Sequence, residues 1–316
     1  MNIVIYGTGG VGGYFGARLA QAGNKVTFIA RGKHLEAIQK NGLLLKSGKG
    51  DYLVYPANAT STISEITDID LILVCIKTWQ LEVAAKEIKQ VLTEKTMVIS
   101  LLNGVNNADV LGASIEKKHI LGGLCKVVSK IEDYGIINHI SFEPTIVFGE
   151  LDNAKTKRAL LLEKVFLNAG ITTKLADNIQ TEIWSKFLFI ATISGIGALT
   201  RATIGEMIAS PEIKEIMRKT AEEIVAVANA KGVYLSENIV EQQFKMIESQ
   251  PYNTTSSLQR DMMEGKPSEL ESQTGTIVKM GFELGIPTPV NAFIYDSLLP
   301  QEKKSQVRSQ KTEDRS

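Results

Sequence analysis

Residues 2–31 read NIVIYGTGGVGGYFGARLAQAGNKVTFIAR, and the order of residue types in this stretch decides the fold of the first half of the chain. Residues 2–6 are an unbroken run of β-formers stopped by Gly7, the signature of a strand buried on both faces. Val11, Phe15, Leu19 and Ala22 then recur at helical spacing, and Gly23 stands where a C-terminal cap belongs. Residues 25–30, KVTFIA, form a second strand. The turn between strand and helix is Gly7-Thr8-Gly9-Gly10-Val11-Gly12, a G-x-G-x-x-G in the context that makes it informative. Gly7 permits the tight turn, Gly9 lets backbone N–H groups approach a pyrophosphate, and Gly12 lets the helix pack closely on the strand. A glycine-rich turn without a ligand is the competing explanation, and the flanking elements disfavour it. The expected ligand is a dinucleotide held by Gly7 to Gly12, including Thr8, Gly10 and Val11.

The end of the second strand specifies which dinucleotide. NAD sites usually place an acidic residue there, to accept the adenosine ribose hydroxyls. This chain has Arg31, followed by Gly32 and Lys33. A guanidinium suits a ribose 2′-phosphate through charge and its planar donor fork, so NADPH is the expected cofactor. A solvated strand-end arginine is the bland alternative.

With 316 residues the chain is long enough for two domains. Thirty-five basic and 35 acidic side chains cancel, which disfavours nucleic acid or an anionic membrane as the main partner. Cys75 and Cys125 lie in apolar stretches and read as small buried hydrophobes of a reducing compartment. No secretory signal is visible, and the apolar run at 187–199 reads as too short and too rich in Gly, Ser and Thr to span a bilayer. A cytoplasmic protein is expected. The three histidines show no metal-ligand spacing with cysteine, so no metal site is expected.

Further along, residues 70–76 (DLILVCI) and 96–102 (TMVISLL) read as buried strands with a helix over 78–92 between them. Residues 43–55 read as a hairpin, residues 119–129, 136–140 and 145–149 as three more strands, and 153–168 as a helix. After Asp177 the pattern predicts helices only, over 178–199, 203–208, 211–231, 236–248, 254–264, 267–284 and 290–299. The expected architecture is an α/β Rossmann-type domain over 1–175 and an all-α domain over 176–300. Residues 301–316 (QEKKSQVRSQKTEDRS) lack apolar periodicity and are expected to be a disordered tail.

Ligands of open α/β sheets lie beyond the carboxyl ends of the strands. Lys77 and Asn103 sit at two such ends and project toward the nicotinamide end of a dinucleotide. A solvated lysine and an Asn-Gly turn are their plain alternatives. In the helical half, Lys186 precedes a strongly apolar continuation, where an ammonium can protonate an oxygen that becomes negative as hydride arrives at carbon. Glu182, four residues earlier, offers instead a surface ion pair, and the residues leave the two readings even. Ser257 and Asp261 share a helix face, and Glu269 follows Pro267 at a helix start, where an isolated glutamate by default complements the dipole.

Taken together, these segments resemble the ketopantoate reductase (2-dehydropantoate 2-reductase) family over about 300 residues. The matching stretches are GTGGVG at 7–12, IKTWQ at 76–80, LNG at 102–104, EIWSKF at 182–187, SSLQRD at 256–261, GKPSELE at 265–271 and ELGIPTPVN at 283–291. The resemblance implies a Rossmann domain followed by a helical domain like that of 6-phosphogluconate dehydrogenase. It also implies NADPH-dependent reduction of a 2-keto acid in pantothenate and coenzyme A synthesis. By the same resemblance Lys186 is the catalytic proton donor, and Glu269 orients substrate, lysine and cofactor. Lys77 and Asn103 line nicotinamide and substrate, and Ser257 and Asp261 contact substrate. Family members are often dimers, which makes a homodimer the implied assembly. The chain departs from the pattern where the family presents two asparagines after the lysine. Ile190 and Ser194 stand there, with Ser194 left as the polar substrate contact, and Thr274 stands where another asparagine is frequent. Loss of a hydrogen-bonding group costs discrimination. A paralogous reductase acting on a different, more apolar keto compound is therefore an alternative, and a non-catalytic NADPH sensor a more distant one.

Overall fold

The runs read above as strands all enter one sheet. A computed structural model describes residues 1–313. It divides into a unit ending at Gln180 and a second beginning at Thr181, inside the first turn of a long helix. The first unit contains β1 (Asn2–Tyr6), α1 (Gly10–Gln21), β2 (Lys25–Ile29), α2 (Gly32–Asn41), β3 (Leu43–Ser47), β4 (Tyr52–Val54) and β5 (Asn58–Thr60). These are followed by β6 (Leu71–Val74), α3 (Leu81–Lys89), β7 (Met97–Ser100), α4 (Asn107–Gly112), β8 (Ile120–Asp133), β9 (Ile136–Glu150), α5 (Lys157–Asn168) and β10 (Thr172–Leu175). The sheet runs β4-β3-β9-β8-β7-β6-β1-β2-β5, with β10 beside the distal half of β9. From β5 to β8 all neighbours are parallel.

Side chains alternate across this sheet, and both faces are buried. Ile3, Ile5, Leu71 and Leu73 join a core with Phe15 and Leu19 of α1. Val4, Tyr6, Ile72 and Val74 join an opposite core with Leu81, Ala84, Ala85 and Ile88. That two-sided burial is why β1 and β6 read as continuous apolar runs. The expected hairpin at 43–55 is the antiparallel pair β3–β4. Residues 136–140 and 145–149, read as two strands, are one strand, β9. It pairs with β8 through three register shifts that absorb the polar stretch between them. The elements α2, α4, β5 and β10 carry no clear periodicity in the sequence.

The second unit holds α6 (Ile179–Thr200), α7 (Ile204–Ala209), α8 (Pro211–Ala230), α9 (Ile239–Glu248), α10 (Ser257–Met263), α11 (Thr276–Leu284) and α12 (Pro289–Glu313). One π-helical turn, Glu271–Gly275, precedes α11, where a single helix over 267–284 is expected from the sequence. Helix α6 has the length and apolar content of a membrane span, yet 61% of its most apolar window is buried inside the protein, as in a core helix.

The expectation of a disordered tail fails for residues 301–313. Helix α12 continues through Pro300 to Glu313, while residues 314–316 lie outside the described residues. The physical reason is a buried acid. The carboxylate of Glu302 accepts the Ser268 backbone N–H at 3.1 and 3.2 Å and the Ser268 hydroxyl at 2.6 Å. A chain ending at Pro300 is therefore expected to lose stability. Glu302→Ala in the full chain should cost about 2 kcal/mol by stranding two buried donors. Thermal melts of both test this, and unchanged midpoints would restore the tail reading.

A second buried carboxylate closes the first unit. Glu150, at the end of β9, accepts Arg158 Nε at 2.7 Å and Nη2 at 2.6 Å, and the Thr156 hydroxyl at 2.5 Å. Burial alone would raise its pKa, but these donors hold the carboxyl below the ordinary glutamate value. Arg158→Ala should destabilise the protein by about 2–3 kcal/mol, because it leaves that charge buried without its partner. Denaturant unfolding checks this.

Candidate active site

The parallel registers Tyr6–Ile29, Tyr6–Val74 and Val74–Ser100 place the carboxyl ends of β2, β1, β6 and β7 side by side. Four predicted positions follow in that strand order: Arg31 after β2, the glycine turn after β1, Lys77 after β6 and Asn103 after β7. The spacing in sequence thus becomes a row along one edge of the sheet.

The turn itself has the geometry a pyrophosphate needs. Gly7 takes φ +102°, closed to ordinary side chains, and a Cβ there would meet Ile76 at 2.6 Å. A Cβ on Gly12 would lie 2.1 Å from the Gly7 carbonyl oxygen and 2.7 Å from Ile5, so α1 sits directly on β1. At Gly9 a Cβ would meet nothing within 4 Å, so open space lies at the N-cap of α1. The first turn of α1 has no acidic residue and no side-chain cap, which leaves its N–H groups for an anion. These features fit a bound dinucleotide. Gly10 faces elsewhere, since its Cβ would strike the Ser129 carbonyl oxygen of β8 at 2.3 Å.

Thr8 behaves differently from the expected cofactor contact. Its N–H and hydroxyl both donate to the Ile29 carbonyl, at 3.0 and 2.9 Å, and its carbonyl takes a ring nitrogen of His34 at 2.9 Å. With all of its polar groups engaged, Thr8 holds the shape of the turn. Val11 is half-buried and packs against the α1 core. Arg31 is exposed and has extended backbone as the N-cap residue of α2, just beyond β2. Its charge reaches the end of β1. Burial and a hydrogen bond to Glu87 push the Tyr6 hydroxyl pKa up, and Arg31 works in the opposite direction.

Lys77 opens a single turn over Thr78–Gln80, its ammonium 5.8 Å from the centroid of the exposed Trp79 ring. Asn103 lies in a loop shaped by Gly104, at φ +118°, and by Asn107. The Asn107 amide donates to the carbonyls of Leu102, Asn103 and Gly104 at 3.3–3.4 Å. Nothing but that i+4 spacing marks Asn107 in the sequence.

In the helical unit, Lys186 is half-buried on α6 between the buried Trp184 and Phe187. Gln243 of α9, itself buried, donates to the Ser185 carbonyl at 3.2 Å and fixes the turn that carries the lysine. Glu269 is only 6% exposed. It begins the helical segment that Glu302 anchors through Ser268, and its carbonyl accepts Gln273 N–H at 3.0 Å. The π turn follows at once, with Gly275 N–H bonded to the Leu270 carbonyl at 3.0 Å; such turns favour functional sites. Ser257 is exposed at the start of α10, and Asp261, half-buried, is one turn on. The neighbouring Ser256, not Ser257, caps that helix through Gln259 N–H at 3.1 Å. Ile190 is half-buried one turn after Lys186. Ser194 does not match its expected role as a substrate contact. It is 0% exposed with an unpartnered hydroxyl, as is the hydroxyl of the buried Thr274, so in this conformation it presents nothing to a ligand. Among the described residues no group of three His, Cys, Asp or Glu could hold a metal.

Comparison with known proteins shows the family. The family model "Ketopantoate reductase PanE/ApbA" matches residues 3–153, and "Ketopantoate reductase PanE/ApbA C terminal" matches residues 178–302. The chain belongs to the ketopantoate reductase family. It is 33% identical to a 2-dehydropantoate 2-reductase of Archaeoglobus fulgidus, covering 92% of this chain and 94% of that one. It is 31% identical to the uncharacterized oxidoreductase YkpB of Bacillus subtilis, covering 94% and 98% respectively. The crystal structure of a PanE/ApbA family ketopantoate reductase from Ralstonia eutropha JMP134 superposes with a TM-score of 0.89 at 31% identity, covering 97% of this chain and all of that one. The protein is thus a ketopantoate reductase-type oxidoreductase, with a Rossmann-like sheet domain followed by a helical domain.

His34 gives this site a pH signature. Burial holds its ring below the ordinary histidine pKa of 6.5, despite its bond to Thr8. The folded state therefore prefers the neutral ring. The stability this contributes is complete above about pH 6.5 and declines as pH falls toward the depressed folded value. Unfolding free energy of wild type minus His34→Gln, measured from pH 8 to pH 5 (about the histidine range), should fall on acidification. A constant difference would contradict a neutral buried ring.

Proposed function

We propose that the chain is an NADPH-dependent 2-dehydropantoate 2-reductase, producing pantoate for pantothenate and coenzyme A synthesis. The observation that carries the reading is the pairing, in one small helical unit, of a half-buried lysine with a glutamate buried on an anchored turn. An ammonium on an apolar helix is a strong local cation, and a developing negative oxygen is the charge it stabilises. Bound NADPH would supply the hydride to the keto carbon. Lys186 Nζ then donates its proton to the former keto oxygen, leaving a hydroxyl, and solvent reprotonates the amine. Glu269 orients the groups around it. Arg31 holds the adenosine 2′-phosphate, and the N–H groups at the start of α1 hold the pyrophosphate. Lys77 and Asn103 border the nicotinamide, and Ser257 and Asp261 meet the substrate.

A second reading has its own observation. Ile190 is half-buried one turn after the lysine, where the resemblance places a hydrogen-bonding asparagine. Such a residue favours a keto acid with an apolar substituent over one that must have its hydroxyl bound.

Loss of NADPH absorbance with 2-dehydropantoate, compared with branched 2-keto acids lacking a hydroxyl, separates the two readings. Rapid oxidation with 2-dehydropantoate supports the first, and preference for the hydroxyl-free acids supports the second. In either case Lys186→Ala should lower kcat by about a hundredfold or more while NADPH affinity stays near that of wild type. Full turnover in that variant would remove Lys186 from the chemistry.

A further inference from the structure

His34 is a buried side chain that the reaction does not use, and it stands between the two parts of the cofactor site. Its Nδ1 lies 3.1 Å from the Gly135 backbone N, in the turn between β8 and β9, and its Nε2 lies 2.9 Å from the Thr8 carbonyl. The Gly135 N–H can only donate, so Nδ1 is the acceptor and the ring proton sits on Nε2, donating to Thr8. Ile29, on the other side of Arg31, is tied to the same residue by the N–H and the hydroxyl of Thr8. Residues 29–34 therefore form an arch with both feet on Thr8, and Arg31 is carried within its span. Thr8 lies between the two glycines of the phosphate turn.

We infer that His34 is a positioning residue that fixes Arg31 relative to the glycine turn and so sets the preference for NADPH over NADH. This rests on the cofactor reading given above. The pyrophosphate is common to both nucleotides and is met by the turn itself. Only the 2′-phosphate needs Arg31 at a set distance from that turn, so loosening the arch costs NADPH more than NADH. The neutral ring favoured by burial is the form that both hydrogen bonds require.

Fluorescence titration of NADPH and NADH against the full chain tests this, with thermal melts confirming that each variant is folded. His34→Gln can still donate to Thr8 but no longer accepts from Gly135. His34→Asn can accept from Gly135 but is too short to reach Thr8. The ratio of NADPH to NADH affinity should fall about three- to tenfold in His34→Asn, the worth of one lost hydrogen bond, and stay within about twofold of wild type in His34→Gln. Thr8→Val removes the hydroxyl bond at the other foot, leaves His34 in place, and should lower the same ratio should the asparagine variant not fold. Ratios that are unchanged in folded His34→Asn and Thr8→Val, or that fall equally in the Asn and Gln variants, overturn the inference. A wild-type chain that binds neither nucleotide overturns the cofactor reading instead, a result distinguishable from unchanged ratios in a chain that binds both.

Discussion

A Cβ at position 12 would sit 2.1 Å from the Gly7 carbonyl oxygen, and the N-terminal unit is arranged around the absence of that one carbon. Without it, α1 rests on β1 and its N-terminal N–H groups follow directly from the turn. The same closeness recurs along the helix. A Cβ at Gly16 would strike Phe28 at 2.5 Å, and one at Gly13 would strike Ile137 at 2.5 Å. Helix α1 thus packs closely against β1, β2 and β9 of the one sheet. Gly9 is the exception, facing open space at the helix start. Packing consumes Gly7, Gly10, Gly12, Gly13 and Gly16 of the turn and helix, and Gly9 leaves room for a ligand.

The helical unit solves a different problem, which is how to keep charged groups in place away from water. A buried carboxylate is costly unless its oxygens are satisfied. Glu302 meets that condition with a backbone N–H, a hydroxyl and the Gln306 side-chain amide at 3.0 Å. Its function is mechanical, because the N–H it takes belongs to the residue before Glu269. Gln243 does the same for α6, gripping the carbonyl just before Lys186. The chain at Lys186 and at Glu269 is therefore held by backbone anchors from other helices. Rigid support of that kind is what proton transfer in a fixed geometry requires.

How much of this was readable follows from the residue types that carry each element. Strands β1, β6 and β7 were legible because burial on both faces forces continuous apolar runs. The glycine turn was legible because each glycine answers a separate steric demand. Helix α2 was not, since its opening Gly-Lys-His reads as a polar loop and its fixed point is a histidine bonded to backbone groups distant in sequence. The end of α12 was hidden for a similar reason: its buried anchor is a glutamate in a charged stretch, where hydrophobic patterning has nothing to register. Thr8 and Ser194 show the converse. A position inside a motif can be spent on holding the motif, and a polar residue on a functional helix can face the core.

In the proposed function, the edge formed by the ends of β2, β1, β6 and β7 is an NADPH site in which Arg31 takes the 2′-phosphate. The most direct measurement is the pair of dissociation constants for NADPH and NADH in wild type and in Arg31→Ala. Tighter binding of NADPH by wild type, reduced about tenfold or more in the variant with NADH affinity nearly unchanged, is the predicted result for loss of a charge-assisted contact. Tighter binding of NADH by wild type, or a preference for NADPH that survives the substitution, would contradict it.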